Sequence, residues 1–326
     1  MINFDSLKKI IEGNNSFLIT THVNPDADAL GSEIAVYGIL TYLQKQVKIV
    51  NHSATPYNHT FLDRGNIVEK YNPDIHDEYI NNVDVVIFLD LNQMSRVVSM
   101  EKALRATPAL KICIDHHLNP EDFTEHYFAD AKMSATGEII YNFIEQTKIA
   151  PFNLDIAQAL YAAIMTDTGS FRFDKTTPEV HRIAANLLEF GIKPETIHDK
   201  IFAQSKIGKQ KLLGQALSSL KLNKTEEVCY MVLTREDLQK NGATEADLDG
   251  FVNFCLGIEN VKIGILFYEL SNGIKISFRS KGKIPVNELA AEFGGGGHLN
   301  AAGTRLYDSK LNDYIDKVIS ASEKYL

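Results

Sequence analysis

Short apolar runs alternate with amphipathic stretches along the first half of the chain. The runs are rich in β-branched residues and cover residues 17–20, 47–50, 83–89 and 110–114. Between the first two runs, Leu30, Ile34 and Leu40 recur at helical spacing. Nearly continuous apolar strands separated by helices are typical of a parallel sheet that is covered on both faces. The pattern therefore predicts an α/β fold built on a parallel sheet.

From Ser134 to about residue 220 the pattern becomes helical. Helices are predicted over residues 135–146, 154–165 and 178–190 and from about residue 194. The third of these has a clear start, because Thr177 is a hydroxyl cap and Pro178 suits the first turn.

The last hundred residues return to strands. Runs at 228–233, 261–270 and 274–278 predict strands, and Ser271-Asn272-Gly273 predicts a hairpin turn between the last two. Residues 206–224 indicate a helical linker. We therefore predict a first domain over 1–205, the linker over 206–224, and a smaller mixed α/β domain over 225–326.

Composition narrows the class of protein. The 326 residues suit two domains, and the net charge of −9 argues against a protein that coats long nucleic acid. Three widely spaced cysteines exclude a disulfide scaffold and a Cys-rich zinc site. Residues 1–15 show no apolar h-region and no small-residue cleavage site, so we expect no secretion. No apolar run approaches the roughly 20 residues of a membrane span. We expect an acidic cytoplasmic protein without membrane contact.

Carboxylates and imidazoles follow the apolar strands at their carboxyl ends. The first strand leads into His22, Asp26 and Asp28, the third ends at Asp90, and the fourth ends in Asp115-His116-His117. In open parallel sheets, ligands bind outside the carboxyl ends of the strands, where strand order reverses. We expect these side chains to lie at one edge of the sheet.

This set of ligands predicts a metal centre. Hard oxygens and imidazole without a nearby thiolate suit Mn, Mg, Co or Zn, and carboxylates packed together repel one another unless a cation is present. There are enough ligands for two ions, with a carboxylate at a central strand end able to bridge them. Each motif alone could be a turn or a helix cap. Asp167, in MTDTGS, would by itself be an ordinary capping residue; the combination favours metal.

A second candidate site is the segment GGGGHLNAAG at 294–303. Four glycines leading into a helix N-terminus would let backbone N–H groups converge on a phosphate. Residues 272–305 carry five basic residues against two acids, a local charge of +3 in an acidic chain. We therefore favour a phosphate-binding patch over a flexible linker or a merely solvated face.

Taken together, these motifs resemble the DHH phosphoesterase family with its DHH-associated C-terminal domain. The resemblance rests on THVNPDADALGS, Asp90, Asp115-His116-His117, MTDTG and GGGGHLNAAG, which occur in family order from residue 16 to 306. The length and layout most resemble the soluble bacterial nanoRNase and pAp phosphatase subgroup, also described as exopolyphosphatase-related. A Rossmann-like DHH domain is implied, followed by a smaller substrate-binding domain.

The resemblance also implies the role of each residue. Two divalent ions, usually Mn, are implied, one held by His22, Asp26 and Asp90 and the other by Asp28, Asp90, His116 and Asp167. His117 would face the scissile phosphate, and Asp115 would orient the histidine pair. The implied substrate-binding residues are Arg96, Arg279, Ser280, Gly295, Gly296, Gly297 and His298. A surface helix arginine is an equally good interpretation of Arg96.

Two positions depart from the family pattern. Ala27 stands where family members commonly have glycine, so strain follows if the loop needs a positive φ there. Leu91-Asn92 follows Asp90 where many members have a small hydroxyl residue, which would alter the contacts around that carboxylate.

The expected activity is hydrolysis of short RNA oligonucleotides and adenosine 3′,5′-bisphosphate by two-metal activation of water. The C-terminal patch would limit substrate length by holding a distant phosphate, so long nucleic acid is not an expected partner. The alternatives are a phosphodiesterase for cyclic or linear signalling dinucleotides, a pyrophosphatase or exopolyphosphatase, and a non-catalytic nucleotide-binding regulatory module. The sequence is also compatible with a homodimer.

Overall fold

The chain divides into two compact units. The computed structural model describes residues 2–118 and 120–326. The first unit ends at Gln204 and the second comprises Ser205–Leu326.

A six-stranded parallel sheet forms the centre of the first unit. Its strands are β1 Ser16–Thr21, β2 Gln46–Asn51, β3 Val68–Lys70, β4 Val85–Leu89, β5 Leu110–Asp115 and β6 His126–Ala129, in the order β3-β2-β1-β4-β5-β6. Every neighbouring pair is parallel. The chain builds outward from β1 to β3 and then returns to the other side of β1 with β4. The order therefore reverses between β1 and β4, which makes the carboxyl ends of these two strands the expected place for a ligand.

Helices cover both faces of this sheet. They are α1 Phe4–Gly13, α2 Ala27–Tyr42, α3 Pro73–Asn82, α4 Glu101–Ala106, α5 Thr136–Thr147, α6 Leu154–Asp167, α7 Pro178–Leu188 and α8 Pro194–Phe202, with a 3-10 helix at Met94–Met100. Phe17 and Ile19 of β1 are buried in the core on one face, and Leu18 between them is buried in the core on the other. Because both faces are buried, the strands are apolar at successive positions, and the predicted α/β fold is confirmed.

The helix predicted to follow Thr177 begins as expected. The Thr177 side chain accepts a hydrogen bond from the amide of Val180, and Pro178 is the first helical residue of α7. Both features satisfy or remove amide groups that a helix N-terminus leaves without an internal partner.

The second unit is built on a mixed sheet. Its strands are β7 Lys221–Leu222, β8 Val228–Leu233, β9 Ile263–Leu270, β10 Gly273–Ser280, β11 Gly296–His298 and β12 Ala301–Tyr307, in the order β11-β12-β10-β9-β8-β7. Only β8 and β9 pair in parallel among these strands. The accompanying helices are α9 Ile207–Ser218, α10 Arg235–Lys240, α11 Asn253–Leu256, α12 Val286–Ala291 and α13 Leu311–Ser322, with 3-10 turns at Glu245–Leu248 and Glu323–Tyr325. The predicted mixed α/β domain is confirmed.

The hairpin predicted at residues 271–273 joins β9 to β10. Leu270 pairs with Gly273, and Gly273 has a φ of 144°, which only glycine adopts readily. A Cβ at this position would also lie 2.1 Å from the carbonyl oxygen of Leu306, so the neighbouring strand β12 leaves no room for one.

The glycine segment at 294–297 does not lead into a helix, and that prediction was wrong. Gly296–His298 forms strand β11, which pairs antiparallel with Ala301–Gly303 of β12. A Cβ on Gly295 would lie 2.3 Å from the carbonyl oxygen of Gly303, and one on Gly297 would lie 2.5 Å from that of Ala301. At least two of the four glycines therefore allow two backbones to approach closely within a hairpin.

The predicted linker contains α9, which belongs to the second unit. Leu212 and Ala216 of this helix are fully buried in a core that includes Cys229 and Met231 of β8. Within the described part of the chain, no helix is both long and apolar enough to cross a membrane.

Candidate metal centre

Five elements bring carboxylates and imidazoles to the carboxyl edge of the first sheet. His22 follows β1, Asp90 follows β4, and Asp115 ends β5 just before His116 and His117. The remaining residues come from helices: Asp26 and Asp28 lie at the start of α2, and Asp167 is the last residue of α6. The edge is the one at which the strand order reverses.

The ligand atoms form three overlapping groups, each with all its atoms within 4.8 Å of one another. The groups are His22, Asp26 and Asp90; Asp28, His116 and Asp167; and Asp90, His116 and His117. Asp90 connects them, because its Oδ2 lies 3.4 Å from His22 Nε2 and its Oδ1 lies 3.4 Å from His116 Nε2. One carboxylate thus presents an oxygen to each half of the centre, which is the arrangement a bridging ligand requires.

The centre is closed on most sides and open on one. The side chains of Asp28 and Asp90 are 0% and 3% exposed, whereas those of Asp167 and Asp26 are 25% and 55% exposed. A ligand from solvent therefore reaches the centre past Asp26 and Asp167.

Asp26 combines the two functions that the sequence left as alternatives. Its Oδ1 accepts hydrogen bonds from the amides of Asp28 and Ala29 and so caps α2. Its Oδ2 lies on the side of His22, 3.9 Å from Nε2. A helix cap and a metal ligand are therefore compatible in this carboxylate.

Ala27 is not strained. It is the first residue of α2, is fully buried, and is not among the residues with positive φ. The left-handed backbone lies instead at Asn24, with a φ of 54°, and at Asp90, with a φ of 58°. Asparagine and aspartate adopt this conformation more readily than most residues, and its occurrence at Asp90 places a mildly strained residue at the middle of the centre.

The N-terminus of α5 holds two buried carboxylates of the centre in place. The amides of Thr136 and Gly137 donate to Asp28 Oδ2 and Oδ1 at 2.7 and 2.8 Å, and the Thr136 hydroxyl donates to Asp90 Oδ1 at 3.1 Å. The Thr136 hydroxyl thus gives Asp90 a hydroxyl contact. Leu91-Asn92, which follows Asp90 where many family members have a small hydroxyl residue, has no hydroxyl to offer. The sequence interpretation missed Thr136 and Gly137; the only available signal was a Thr-Gly pair at the start of a predicted helix.

A chain of hydrogen bonds orients His117. Its Nδ1 lies 2.7 Å from Asp115 Oδ1, and Asp115 Oδ2 accepts a hydrogen bond from the Tyr127 hydroxyl at 3.0 Å. Burial, followed by the nearby Cys113 and Asp115, raises the pKa of Tyr127 far above its usual range, so this hydroxyl stays protonated and donates. Tyr127 comes from the neighbouring strand β6 and was not among the predicted site residues.

The protonation equilibria of the centre reflect excess negative charge. Burial and then the charge of Asp90 raise the pKa of Asp28 well above its usual range. Burial opposes ionisation of Asp90 as well, but hydrogen bonds from His116 and His22 outweigh it and lower the pKa of Asp90. Burial likewise opposes a charged His116, yet Asp167 and Asp90 raise its pKa to about 11. The surrounding carboxylates therefore stabilise a positive charge on the histidines of the centre.

The donor set fits two divalent cations. Four carboxylates (Asp26, Asp28, Asp90, Asp167) surround the imidazoles, and such mutual repulsion is relieved by cations. Carboxylate oxygens and imidazole nitrogens are ligands for Mn, Mg, Co or Zn. Cys113, Cys229 and Cys255 are buried outside the three ligand groups, so the described residues offer no thiolate to the centre.

Arg96 lies in the 3-10 helix beside the centre. Its carbonyl oxygen accepts a hydrogen bond from the amide of Val23, which fixes the segment just after His22. Its side chain is partly exposed, and its charge is close enough to oppose protonation of His22.

The second unit presents basic residues on one face of its sheet. Lys275 pairs with Arg305 and Arg279 pairs with Ala301 across β10 and β12, so these side chains share a face. Glu245 lies against this face, where its Oε1 accepts hydrogen bonds from Lys275 at 3.0 Å and from Arg305. Arg279 is partly buried; burial lowers the pKa of its guanidinium, and the charge of Asp249 opposes that shift.

Ser280 and the glycine hairpin lie beside Arg279. The Ser280 hydroxyl donates to the carbonyl oxygen of Ile284 at 2.7 Å and accepts from Asn300 Nδ2 at 2.8 Å, which ties the end of β10 to the hairpin. Gly296 and His298 in β11 are exposed. The predicted substrate-binding residues of this unit therefore share one region at the end of the sheet.

Comparison with known proteins assigns both units to families. The profile of the DHH family, N-terminal domain, matches residues 16–164, and that of the DHHA1 domain matches residues 225–324. The bifunctional oligoribonuclease and PAP phosphatase NrnA of Thermus thermophilus is 30% identical over 318 residues, covering 98% of this chain and 92% of that protein. The protein of the same name from Bacillus subtilis is 26% identical over 314 residues, covering 95% and 94%. The crystal structure of an exopolyphosphatase-related protein from Bacteroides fragilis superposes with a TM-score of 0.94 at 33% identity, covering 99% of this chain and 96% of that one.

Proposed function

This chain belongs to the DHH family of phosphoesterases, and from that premise we propose that it hydrolyses short RNA oligonucleotides and adenosine 3′,5′-bisphosphate in the cytoplasm. The observation that carries the proposal is the sharing of Asp90 between two groups of ligand atoms. Its substrate side follows the similarity to proteins named oligoribonuclease and PAP phosphatase, one of which is 30% identical over nearly the whole chain.

In this proposal His22, Asp26 and Asp90 hold one divalent ion, and Asp28, Asp90, His116 and Asp167 hold the other. Manganese is the proposed metal, with Mg, Co or Zn as substitutes of similar chemistry. When bound, two such ions lower the pKa of water and neutralise charge on a phosphate. The protein contributes a rigid set of ligands, because α5 amides fix Asp28 and the Thr136 hydroxyl fixes one oxygen of Asp90.

His117 is the proposed contact to the scissile phosphate. Its Nδ1 is engaged with Asp115, so the opposite side of the ring, with Nε2, is the part that can face a phosphate. Nε2 donates to a phosphate oxygen when the ring carries hydrogen on both nitrogens. Asp115 holds the ring orientation in which Nδ1 carries hydrogen, and Tyr127 holds Asp115 in turn. A fixed ring requires little reorganisation as negative charge develops on the phosphate.

The second unit is the proposed binding site for a further phosphate. Arg279 and the exposed β11 residues (Gly296, Gly297, His298) would contact it, and Gly295 and Ser280 would fix the backbone around them. Arg96 in the first unit is proposed to contact a phosphate near the metal centre. Short substrates need only such local contacts, which suits a chain with a net charge of −9.

A substrate panel tests the proposal. The purified protein with Mn²⁺ would be given diadenylate, adenosine 3′,5′-bisphosphate, cyclic di-AMP, pyrophosphate and polyphosphate, with kcat/KM measured for each. We expect the first two to exceed the others by at least about tenfold, roughly 1.4 kcal/mol of transition-state binding. If phosphate were released from pyrophosphate or polyphosphate faster than the two nucleotide substrates are hydrolysed, the proposed function would be wrong and the protein would be an inorganic phosphatase.

The control for the panel is the triple variant Asp115→Ala/His116→Ala/His117→Ala. It lacks a ligand and the residues that contact or orient the phosphate, so it should hydrolyse none of the substrates. Activity that survives in this variant would mean that hydrolysis occurs elsewhere in the preparation or in the chain.

A further inference from the structure

The segment that follows Asp167 has an unusual backbone. Gly169, Ser170 and Phe171 are consecutive left-handed residues with φ of 58°, 60° and 63°. Left-handed backbone is uncommon for residues other than glycine and persists only where the surroundings impose it. The segment therefore leaves the end of α6 along a fixed path.

Several hydrogen bonds hold this path. The amides of Arg172 and Phe173 both donate to the carbonyl oxygen of Thr168, at 2.9 and 3.0 Å. At the far end of the segment, Lys175 Nζ donates to the carbonyl oxygen of Met133 at 3.1 Å. Side chains on this segment are therefore presented in a defined position, which lowers the entropic cost of binding a ligand there.

The two phenylalanines of the segment are in different environments. Phe171 packs between Tyr161 and His181, with ring centroids 6.0 and 5.5 Å away. Phe173 is 55% exposed, and the tip of its ring lies where Gly169 would carry a Cβ, 2.4 Å from that position. Phe171 thus has a packing role, whereas more than half of the Phe173 side chain remains available to solvent.

Phe173 lies near the open side of the metal centre. Its amide contacts Thr168, the residue next to Asp167, which limits the distance between the Cα atoms of Phe173 and Asp167 to about 11 Å. Asp167 is one of the two partly exposed ligands past which a substrate must approach. An exposed aromatic ring therefore lies on the segment that directly follows a proposed metal ligand, on the side from which substrate approaches.

Arg172 adds positive charge beside this ring. Its Nε donates to the carbonyl oxygen of Gly169 at 2.6 Å, and its guanidinium lies 5.9 Å from the centroid of Phe173. The side chain is exposed, so it can accompany the ring in contacting a ligand that is both aromatic and anionic.

We propose that Phe173 is a stacking platform for a nucleobase of the substrate and that Arg172 contacts the phosphate attached to the same nucleoside. This proposal rests on the proposed function, because it requires a nucleotide substrate at the metal centre. Every nucleobase offers a flat face to an aromatic side chain, so the platform selects nucleotides over inorganic phosphates without selecting a base sequence.

Kinetics with ring variants test the platform. Phe173→Leu keeps apolar bulk but removes the ring, and Phe173→Tyr keeps the ring. For diadenylate, we expect Phe173→Leu to lower kcat/KM by roughly 5- to 150-fold, the range that corresponds to 1–3 kcal/mol of base stacking, and Phe173→Tyr to remain within about threefold of wild type. With a diadenylate analogue that lacks the base next to the scissile phosphate, wild type and Phe173→Leu should be equal.

A binding measurement separates this proposal from the proposed function. 2-Aminopurine riboside 3′,5′-bisphosphate loses fluorescence when its base stacks on an aromatic ring. Quenching should occur with wild type and Phe173→Tyr and be lost with Phe173→Leu, even if the panel of substrates reveals a different hydrolytic activity. Phe202→Leu is the matched control, since Phe202 is 48% exposed on α8. Equal quenching and equal kcat/KM in wild type and Phe173→Leu would overturn the proposal.

Discussion

Two charged regions, one in each unit, are organised in opposite ways. At the metal centre, carboxylates converge at the edge of a parallel sheet, and Asp28 and Asp90 are almost completely buried. On the basic face of the second unit, Lys275 and Arg305 are partly exposed and are already paired with Glu245. The first region has a large local excess of negative charge, whereas the second has most of its charge matched within the protein.

This difference separates the energetics of the two regions. Buried like charges are costly, and here they are stabilised by protonated histidines or by cations, so loss of one ligand has a large effect. Exposed ion pairs contribute about 0–1 kcal/mol and are screened by salt, so changes there adjust affinity by small factors. We therefore expect substitutions in the first region to abolish chemistry and those in the second to adjust binding.

The largest effect is expected from Asp90→Asn. The variant keeps the shape of the side chain but removes the charge shared by the ligand groups of His22 and His116. Affinity for Mn²⁺, measured by titration calorimetry, should fall at least about 100-fold, and kcat/KM for diadenylate at least about 1,000-fold. Circular dichroism establishes that the variant is folded.

Asp199→Asn is the control for charge alone. Asp199 is exposed on α8, so the substitution changes the net charge of the chain equally without touching the centre. If Asp90→Asn bound Mn²⁺ as tightly as Asp199→Asn, the buried charge of Asp90 would not contribute to metal binding. The proposed contrast between the two regions would then be wrong.

A smaller but still large effect is expected from Tyr127→Phe. Loss of the hydroxyl releases Asp115 Oδ2 and so loosens the orientation of His117 without removing any residue of the three ligand groups. Contacts of this kind affect activity by about 10- to 100-fold, and the loss should appear in kcat with KM nearly unchanged. The ¹⁵N chemical shifts of the His117 ring report the tautomer directly and should change in this variant.

Tyr79→Phe distinguishes positioning from general stability. The Tyr79 hydroxyl donates to the carbonyl oxygen of Phe17 at 2.9 Å, near the start of β1 and away from the carboxyl edge. Both variants lose one partly buried hydrogen bond and should lose about 1 kcal/mol of stability. Equal losses of kcat in the two variants would assign Tyr127 a structural role only.

The sequence was sufficient to predict four of the six strands of the parallel sheet and to bring the ligand set together. β1, β4 and β5 are recognisable as apolar runs because both of their faces are buried, and parallel strands deliver whatever follows them to one edge. His22, Asp90 and His116 meet for this reason.

The sequence did not reveal contacts that depend on tertiary packing. Thr136 donates to Asp28 across 108 positions, and Tyr127 reaches Asp115 from an edge strand, so no local pattern marks either contact. The glycine hairpin was not predicted for another reason: glycines have no side chain, so a run of them shows no hydrophobic periodicity. The partner strand Ala301–Gly303, rather than the glycines themselves, determines the structure there.

Glu33 provides a comparison inside the first unit, because it is a buried acid outside the three ligand groups. Its Oε2 accepts a hydrogen bond from Asn51, and its Oε1 has no hydrogen-bond partner among residues 2–118 and 120–326. Burial raises its pKa from 4.5 to about 8, so it is protonated in the folded protein at neutral pH and ionised in the unfolded chain. This group's contribution to stability is therefore present below pH 4.5 and is lost as pH rises through 8.

Glu33→Gln cannot ionise and should remove that dependence. Relative to wild type, the metal-free variant should gain about 3 kcal/mol in free energy of unfolding at pH 9 compared with pH 5.5, measured by urea titration. This is less than the full shift corresponds to, because at pH 5.5 the carboxyl is already mostly ionised in the unfolded chain. The cost of burying glutamine is the same at both pH values and cancels in the comparison. Glu189→Gln, on the exposed end of α7, should show no such gain; an equal gain there would refute the role of burial.

The smallest effect is expected from Glu245→Gln on the basic face. The substitution keeps the side chain in place but removes the charge that matches Lys275 and Arg305, so two cations become available to a ligand. Binding of a trinucleotide to metal-free protein should tighten about two- to threefold at roughly 50 mM salt and be nearly unchanged at about 300 mM, because exposed charges are screened. Glu259→Gln, an exposed acid in the same unit, changes the net charge equally and should not alter binding. Weaker binding by Glu245→Gln would mean that Glu245 positions the two cations for the ligand, and the second region would then resemble the metal centre in depending on a fixed geometry of charge.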